Sequence, residues 1–149
     1  MIVSLVTEVS EELVASVNAL LPQLSSSARP VSLESLASMV EAPGTALFVA
    51  HHDDRVVGML TLVTFLIPTG RRALIEDVVV DESVRGLGIG VALTTAALDH
   101  ARSVGVTTVD LTSRPARVAA NALYKKVGFT QRETNVYRFL VEAPEAEQG

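Results

Sequence analysis

The spacing of apolar residues predicts two amphipathic helices near the start of the chain. Apolar residues recur every three or four positions across residues 7–21, and Ser10 has the side chain and position of a helix N-cap. The same spacing follows Ser32, which marks the start of the second helix. Proline interrupts a helix because its ring clashes with the preceding turn, so Pro22 and Pro43 are expected to end these helices.

The rest of the pattern predicts strands and two further helices. Alternating or continuous apolar runs that are bounded by turn residues are typical of strands. Strands are predicted over residues 2–6, 46–50, 56–67, 72–81, 106–111, 129–131 and 135–141, and helices over 91–104 and 118–126. These segments predict one α+β domain, residues 1–141, with a central mixed sheet of about seven strands and about four helices. An acidic tail, residues 142–149, is expected to be flexible.

The composition excludes several classes of protein. The 149 residues are 48% hydrophobic, enough for one domain with a buried core, and they include no cysteine. Without cysteine there is no disulfide framework, zinc–thiolate site or cysteine nucleophile. The net charge of −5 offers no basic surface for nucleic acid.

The distribution of charged and apolar residues also predicts where the protein works. The first basic residue is Arg29, so the start of the chain does not read as a signal peptide. The most apolar run, residues 58–67, is too short to cross a bilayer. We therefore expect a soluble, cytoplasmic protein with no membrane partner.

A glycine-rich loop lies between the strand that ends near Asp81 and the helix that follows. From Arg85 to Gly90 it reads Arg-Gly-Leu-Gly-Ile-Gly. Glycine lets backbone N–H groups approach an anion without a Cβ in the way, and a helix start adds unpaired donors and a partial charge of about +0.5 e. The Arg85 guanidinium can hydrogen-bond phosphate oxygens. The loop therefore predicts a pyrophosphate-binding site.

Two familiar glycine loops do not fit the spacing. A P-loop ends in Gly-Lys-Ser or Gly-Lys-Thr, whereas Val91 follows Gly90 here. A dinucleotide fingerprint needs a third glycine at that position and a loop that leaves the strand at once, but residues 81–85 intervene. Asp110 lies 22 residues past Gly88, close to the place of a ribose-binding acid, yet inside a predicted strand. A nicotinamide cofactor is therefore disfavoured.

The loop resembles motif A of the GCN5-related N-acetyltransferases, the GNAT family, written Arg/Gln-x-x-Gly-x-Gly/Ala. Arg85, Gly88 and Gly90 fill that pattern. Residues 121–129 resemble motif B of the same family, in which a helix carrying a tyrosine ends in Gly-Phe and enters the next strand. The resemblance covers roughly residues 45–140. It implies a single GNAT-like domain with the element order β-α-α-β-β-β-α-β-α-β-β.

The resemblance implies a protein that transfers an acetyl group from acetyl-CoA to a primary amine, on a small molecule or a peptide. Since no cysteine can carry the acetyl group, direct transfer in a ternary complex is expected, without a metal. In the family, backbone groups of a strand bond the pantetheine arm and the glycine loop holds the pyrophosphate. The corresponding residues are Val78, Val79, Val80, Arg85, Gly86, Leu87, Gly88, Ile89 and Gly90.

Three residues are candidates for proton transfer. Glu76 matches the acidic position that many family members use as a general base, often through a water, and Asp77 is the alternative. Adjacent residues of a regular strand point to opposite faces, so at most one of them is expected to face the acceptor. Either carboxylate could instead pair with Arg71 or Arg72. Tyr124 matches the motif B tyrosine, which in many members protonates the departing thiolate; the alternative is a ring that only packs on the cosubstrate.

One position departs from the family pattern. Many relatives have an asparagine seven residues before the tyrosine, where it contacts the cofactor, and this chain has Arg117 there. Asn121, three residues before Tyr124 and on the same helix face, is the substitute predicted for that cofactor contact. Arg114 and Arg117 either reach the CoA phosphates or are solvated, and the sequence favours neither.

Several questions stay open at the level of sequence. The same scaffold could serve as a non-catalytic acyl-CoA-binding regulator, although a binder would need neither Glu76 nor Tyr124. His51 and His52 raise the alternative of a metal site, but no third ligand is placed by the sequence and a solvated turn is favoured. The acceptor stays unidentified, since resemblance of fold does not name a substrate. The chain could act alone or as a homodimer.

Overall fold

Five strands and four α-helices follow one another in a computed structural model that describes residues 1–142. The strands are β1 (Ile2–Leu5), β2 (Thr45–His52), β3 (Arg55–Ile67), β4 (Gly70–Val80) and β5 (Thr108–Asp110). The helices are α1 (Glu11–Leu24), α2 (Leu33–Glu41), α3 (Ile89–Ser103) and α4 (Val118–Val127), and a 3₁₀ turn at Glu82–Val84 precedes α3. The predicted acidic tail lies outside the described residues apart from Glu142.

The strands form one sheet in chain order, β1-β2-β3-β4-β5. The first four pair antiparallel, and β5 pairs parallel with β4. Asp53 and Asp54 both have positive φ and join β2 to β3, as a tight hairpin turn requires. A parallel pair needs a crossover connection, which α3 supplies between β4 and β5. This mixed sheet confirms the predicted α+β class.

The sheet separates two apolar clusters. The first lies against α3, and its most buried side chains include Val57, Leu60, Leu62, Ile89 and Leu93. The second lies against α1 and α2 and includes Val17, Leu20, Leu36, Leu47 and Val49. Burying each such side chain contributes about 1.5–3 kcal/mol. Burial on both faces explains why the central strands read as nearly continuous apolar runs.

The starts of the first two helices confirm the predicted caps, but the end of α1 does not. Ser10 Oγ accepts the N–H of Leu13 at 3.1 Å, and Ser32 Oγ likewise caps α2. The prediction that Pro22 ends the helix was wrong, because α1 continues to Leu24. Near a helix end the missing proline N–H removes only one bond of the last turn, so the apolar face can still pack.

The two predicted C-terminal strands, residues 129–131 and 135–141, are also wrong. Residues 128–142 contain no strand, so the described sheet has five strands instead of about seven. Within that segment Phe129 donates to the Tyr124 carbonyl at 2.9 Å, and no later backbone N–H of the described chain finds a backbone partner. Alternating apolar residues form a strand only where an edge pairs with them, and here Tyr137 and Phe139 are both 87% exposed. No helix of residues 1–142 combines the length and apolar composition that crossing a bilayer requires.

Candidate active site

A bulge interrupts β4 at Asp77. The pairing of β3 with β4 shifts by one residue between Met59 and Thr61, so that Leu60 lies opposite both Asp77 and Val78. Asp77 has a φ of +50°, a left-handed conformation that aspartate tolerates better than most residues. Bulges of this kind redirect side chains and are common beside active sites.

The bulge changes which side chains of β4 share a face. Ile75 packs into the cluster under α3, whereas Val79 packs into the opposite cluster and Val78 packs against the first. The alternation therefore shifts by one residue. The prediction that a regular strand turns Glu76 and Asp77 to opposite faces was wrong, because both carboxylates are exposed and line the same cleft.

That cleft opens where β4 and β5 diverge. The two strands pair only from Arg72 to Leu74 on β4 and from Thr108 to Asp110 on β5. Beyond this point β4 continues with an edge that β5 does not cover. The cleft has a volume of about 130 Å³ and is lined by Leu24, Ile75, Glu76, Asp77, Val78, Leu111, Thr112, Ser113, Arg117 and Tyr124. A larger hollow of about 400 Å³ beside α2 contains none of the predicted site residues.

Both carboxylates of the cleft are free of ion pairs within residues 1–142. The structural alternative, pairing of Glu76 or Asp77 with a neighbouring arginine, does not occur there. The Arg72 guanidinium instead donates to the Thr69 hydroxyl at 3.1 Å. Glu76 and Asp77 are therefore available to a ligand.

Tyr124 reaches the same cleft from α4. Its ring meets the Phe129 ring edge-on, with the centroids 5.8 Å apart, and Gly128 ends the helix between them with a φ of +124°. Burial raises the pKa of the phenol, and the nearby Arg117 charge opposes that rise. Tyr124 therefore keeps its proton at neutral pH, as a general acid must.

The glycine loop forms an open cradle at the start of α3. Gly86 and Gly88 have φ values of +87° and +78°, and a Cβ placed on either would meet no atom within 4 Å. The first helical bond runs from the Ala92 N–H to the Gly88 carbonyl, so the three preceding amides have no helical partner. Arg85 and Leu87 are exposed beside them, while the Ile89 side chain enters the core. These groups are suited to bind an anion.

This geometry agrees with the comparison to known proteins. A model of the acetyltransferase (GNAT) family matches residues 10–129. The chain belongs to the GNAT family of acetyltransferases. The resemblance of its two motifs to that family is thereby confirmed.

The stretch that matches differs from one relative to another. A mycothiol acetyltransferase of Beutenbergia cavernae is 37% identical over 79 residues, which are 53% of this chain and 27% of that protein. The chain thus spans about a quarter of that relative's length. A Trypanosoma brucei acetyltransferase structure covers 93% of this chain and 100% of its own, with 32% identity and a TM-score of 0.74. An aminoglycoside acetyltransferase from a soil metagenome, in complex with sisomicin, covers 95% and 96% with 19% identity and a TM-score of 0.79, which shows a shared fold.

Gly90 serves the packing of the acetyltransferase fold. A Cβ at Gly90 would lie 2.8 Å from Leu123 Cδ1, so a larger residue would require the end of the Leu123 side chain to move. Leu123 immediately precedes Tyr124. The glycine predicted to bind the cofactor therefore also lies against the α4 residue that precedes the tyrosine.

Asn121 has a contact that the sequence analysis did not anticipate. Its Nδ2 donates to the Arg114 carbonyl at 2.9 Å and to the Arg117 carbonyl at 2.8 Å, which fastens the turn before α4. No sequence signal distinguishes this role, because it depends on the path of that turn. A cofactor contact by Asn121 stays a prediction and would use its Oδ1.

Ser113 was also missed. It follows the end of β5 and lines the cleft, and its Oγ is buried without a hydrogen-bond partner in the described chain. A buried hydroxyl usually finds a partner. It marks the wall opposite β4 as polar.

The two histidines lie away from the cleft. His52 Nε2 is 3.5 Å from the carboxylate of the exposed Asp53, at the turn between β2 and β3. Residues 1–142 contain no group of three or more metal-binding side chains. The turn therefore brings one carboxylate close to His52.

Asp81 anchors the start of the glycine loop. Its Oδ1 accepts a hydrogen bond from the Ser83 N–H at 2.9 Å, and its Oδ2 accepts one from the Arg55 guanidinium at 3.1 Å. Gln23, at the end of α1, accepts the Glu82 N–H at 3.0 Å. The hydrogen bonds from Ser83, more than the Arg55 charge, hold the pKa of Asp81 below its ordinary value of 3.8.

Replacing Asp81 with alanine is expected to lower the free energy of unfolding by about 0.5–2 kcal/mol near neutral pH, because a capping side chain is lost. The folded-state pKa is lowered, so this stabilisation is present above pH 3.8 and is lost as the pH falls through the folded-state value. Urea unfolding of both proteins across that range measures the difference.

The matched control is Asp99→Ala. Asp99 pairs with Arg102 at 2.8 Å, but both side chains are exposed, so the loss should stay below about 0.5 kcal/mol. An Asp81→Ala defect that does not diminish in acid would contradict the capping role.

Proposed function

We propose that the protein transfers an acetyl group from acetyl-CoA directly to a primary amine on a small molecule or a peptide. The observation that carries the proposal is the convergence of Glu76, Asp77 and Tyr124 on one cleft beside the free edge of β4. A module that only bound acyl-CoA would need no unpaired carboxylate facing a protonated phenol. That arrangement favours an enzyme over a regulator.

The residues present fit acetyl-CoA at two places. The open cradle at Gly86 and Gly88 suits the pyrophosphate, since a Cβ there would occupy the ligand's space and meets no protein atom. From Ile75 to Val80, β4 pairs with β3 on one edge and has no strand on the other. An extended pantetheine arm can pair with that free edge as an added strand would. When bound, acetyl-CoA supplies the thioester carbonyl that the amine attacks.

The side chains of the cleft supply the proton transfers. Glu76 takes a proton from the amine, directly or through a water, because amines near pKa 10 are mostly protonated at neutral pH. As the new C–N bond forms and the C–S bond breaks, Tyr124 gives its hydroxyl proton to the departing sulfur. Asp77, on the same cleft, is the second candidate for the base.

The acceptor is expected to be cationic. Two unpaired carboxylates face the cleft and the chain carries a net charge of −5, which favours an ammonium group approaching from solvent. The names of relatives point to different acceptors, a mycothiol acetyltransferase and an aminoglycoside acetyltransferase. A panel of amines with acetyl-CoA, read by release of free thiol, tests the proposal. Release that no amine in a broad panel increases would favour the regulator.

Gly88→Ala is expected to weaken CoA binding roughly 10-fold, which corresponds to about 1.4 kcal/mol. The new Cβ enters the anion cradle and the left-handed conformation is strained. Calorimetry with CoA measures the effect.

Gly105→Ala is a closely matched control. Gly105 follows the other end of α3 with a φ of +83°, and a Cβ there also meets nothing within 4 Å. Both positions have the positive φ that strains an alanine, but only Gly88 belongs to the cradle. Equal CoA affinity in the two variants would place the pyrophosphate elsewhere.

Glu76→Gln is expected to lower turnover by about 10²–10⁴-fold while CoA binding is nearly unchanged. The defect should shrink as the pH rises, since the free amine then forms without a base. The pH profile of kcat, compared with that of Asp77→Asn, measures it. A larger, pH-dependent defect in Asp77→Asn would assign the base to Asp77.

Tyr124→Phe keeps the ring and its contact with Phe129 and removes only the hydroxyl. If the hydroxyl protonates the sulfur, kcat should fall by roughly 10-fold or more, with little change in the thermal midpoint or in CoA affinity. Turnover like that of the unaltered protein would remove the acid role and leave the ring as a packing residue.

A further inference from the structure

Arg117 and Tyr124 lie on one face of α4. Arg117 occupies the N-cap position and Tyr124 lies seven residues later, close to two full turns. Both side chains line the cleft beside β4. Arg117 and Tyr124 therefore border the same cleft from the start and from the last turns of α4.

The backbone of Arg117 is held in place by Asn121. The Asn121 amide donates to the Arg117 and Arg114 carbonyls at 2.8 and 2.9 Å, and the Arg117 N–H donates to the Arg114 carbonyl at 3.0 Å. The Asn121 N–H also donates to the Arg117 carbonyl at 3.0 Å. These four bonds fix the point from which the arginine side chain leaves the helix.

The charges around Tyr124 are few. Among the residues that line the cleft, the titratable or charged neighbours are Glu76 and Asp77 from β4 and Arg117 from α4. Burial disfavours a negative charge on the phenol oxygen, and the Arg117 guanidinium favours one. Arg117 forms no ion pair within residues 1–142, so its charge is not neutralised by a partner there.

We propose that Arg117 stabilises the negative charge that develops on the Tyr124 oxygen as its proton leaves, and that Asn121 is a positioning residue for Arg117. The proton passes from the Tyr124 oxygen to the departing sulfur, so one O–H bond breaks and one S–H bond forms. The guanidinium keeps all its protons. The catalytic use of this pair rests on the proposed function, but the coupling itself belongs to the free protein.

The composition of the chain offers a direct measurement. The sequence has two tyrosines and no tryptophan, and Tyr137 is 87% exposed. In a Tyr137→Phe background, the ultraviolet absorbance of phenolate therefore reports Tyr124 alone. Circular dichroism at each pH identifies the range in which the protein stays folded.

In this background Arg117→Gln is expected to raise the titration midpoint of Tyr124 by about 0.5–1 pH unit, as loss of a nearby positive charge does. Arg117→Lys should restore part of the shift. Asn121→Ala should move the midpoint in the same direction but less, because the arginine is retained and only its placement loosens. Arg114→Gln is the matched control, since this exposed arginine does not line the cleft and should leave the midpoint unchanged.

If the protein unfolds before the phenol titrates, 3-fluorotyrosine in the same background lowers the ordinary phenol pKa and provides a ¹⁹F signal for the same comparison. Equal midpoints in Arg117→Gln and Arg114→Gln would overturn the proposal. So would a loss of CoA affinity in Arg117→Gln with no shift of Tyr124, which would make Arg117 a phosphate ligand.

Measurements of activity test the interaction of Arg117 with Tyr124 separately from the proposed acid role of Tyr124. Arg117→Gln should lower kcat and move its alkaline limb in the direction of the Tyr124 midpoint, with little change in the KM for acetyl-CoA. A shifted midpoint together with full turnover in Tyr124→Phe would support the coupling and refute the acid role. An unshifted midpoint in Arg117→Gln together with an inactive Tyr124→Phe would support the acid role and refute the coupling.

Discussion

The divergence of β4 from β5 is the constraint on which the site depends. A strand in the middle of a sheet has no free backbone groups, so it cannot pair with a ligand. Here β5 ends at Asp110, opposite Leu74, and the rest of β4 keeps one edge uncovered. The bulge at Asp77 lies on this uncovered part and turns two adjacent carboxylates toward one cleft. If β5 had covered the whole of β4, no edge would be free for a ligand. Without the bulge, only one of the two carboxylates would face the cleft.

The contact between α3 and α4 brings the glycine loop and the helix that bears Tyr124 together. Gly90 leaves room for Leu123, and the carbonyl of Gly90 accepts the hydroxyl of the fully buried Thr94 at 2.7 Å. That bond satisfies the one buried polar side chain of α3. The start of α3 thus exposes the backbone amides of the open cradle and packs against the residue that precedes Tyr124.

The features that the sequence predicted depend on residues close together in the chain, whereas those it missed depend on residues far apart. Caps at Ser10 and Ser32 were predictable because they depend on residues within one turn, and both were confirmed. The bulge depends on the pairing of β3 with β4, which no local pattern encodes, although two acidic residues before three valines do break the alternation at Glu76. Residues 135–141 alternate as a strand does, but they pair with no strand of the described sheet. Helix caps could therefore be predicted from the sequence, whereas the pairing of strands that are distant in sequence could not.

The surroundings of Glu76 and Tyr124 in the cleft suit the proton transfers proposed for them. A carboxylate that takes a proton must be ionised and unpaired, and Glu76 is exposed and forms no ion pair in the described chain. A phenol that gives a proton must first keep it, and burial raises the pKa of Tyr124. Burial alone, however, would also make the resulting phenolate costly. One guanidinium at the helix start opposes that cost without neutralising Glu76, because it forms no ion pair with it. An exposed, unpaired carboxylate and a half-buried phenol that keeps its proton can thus share one cleft.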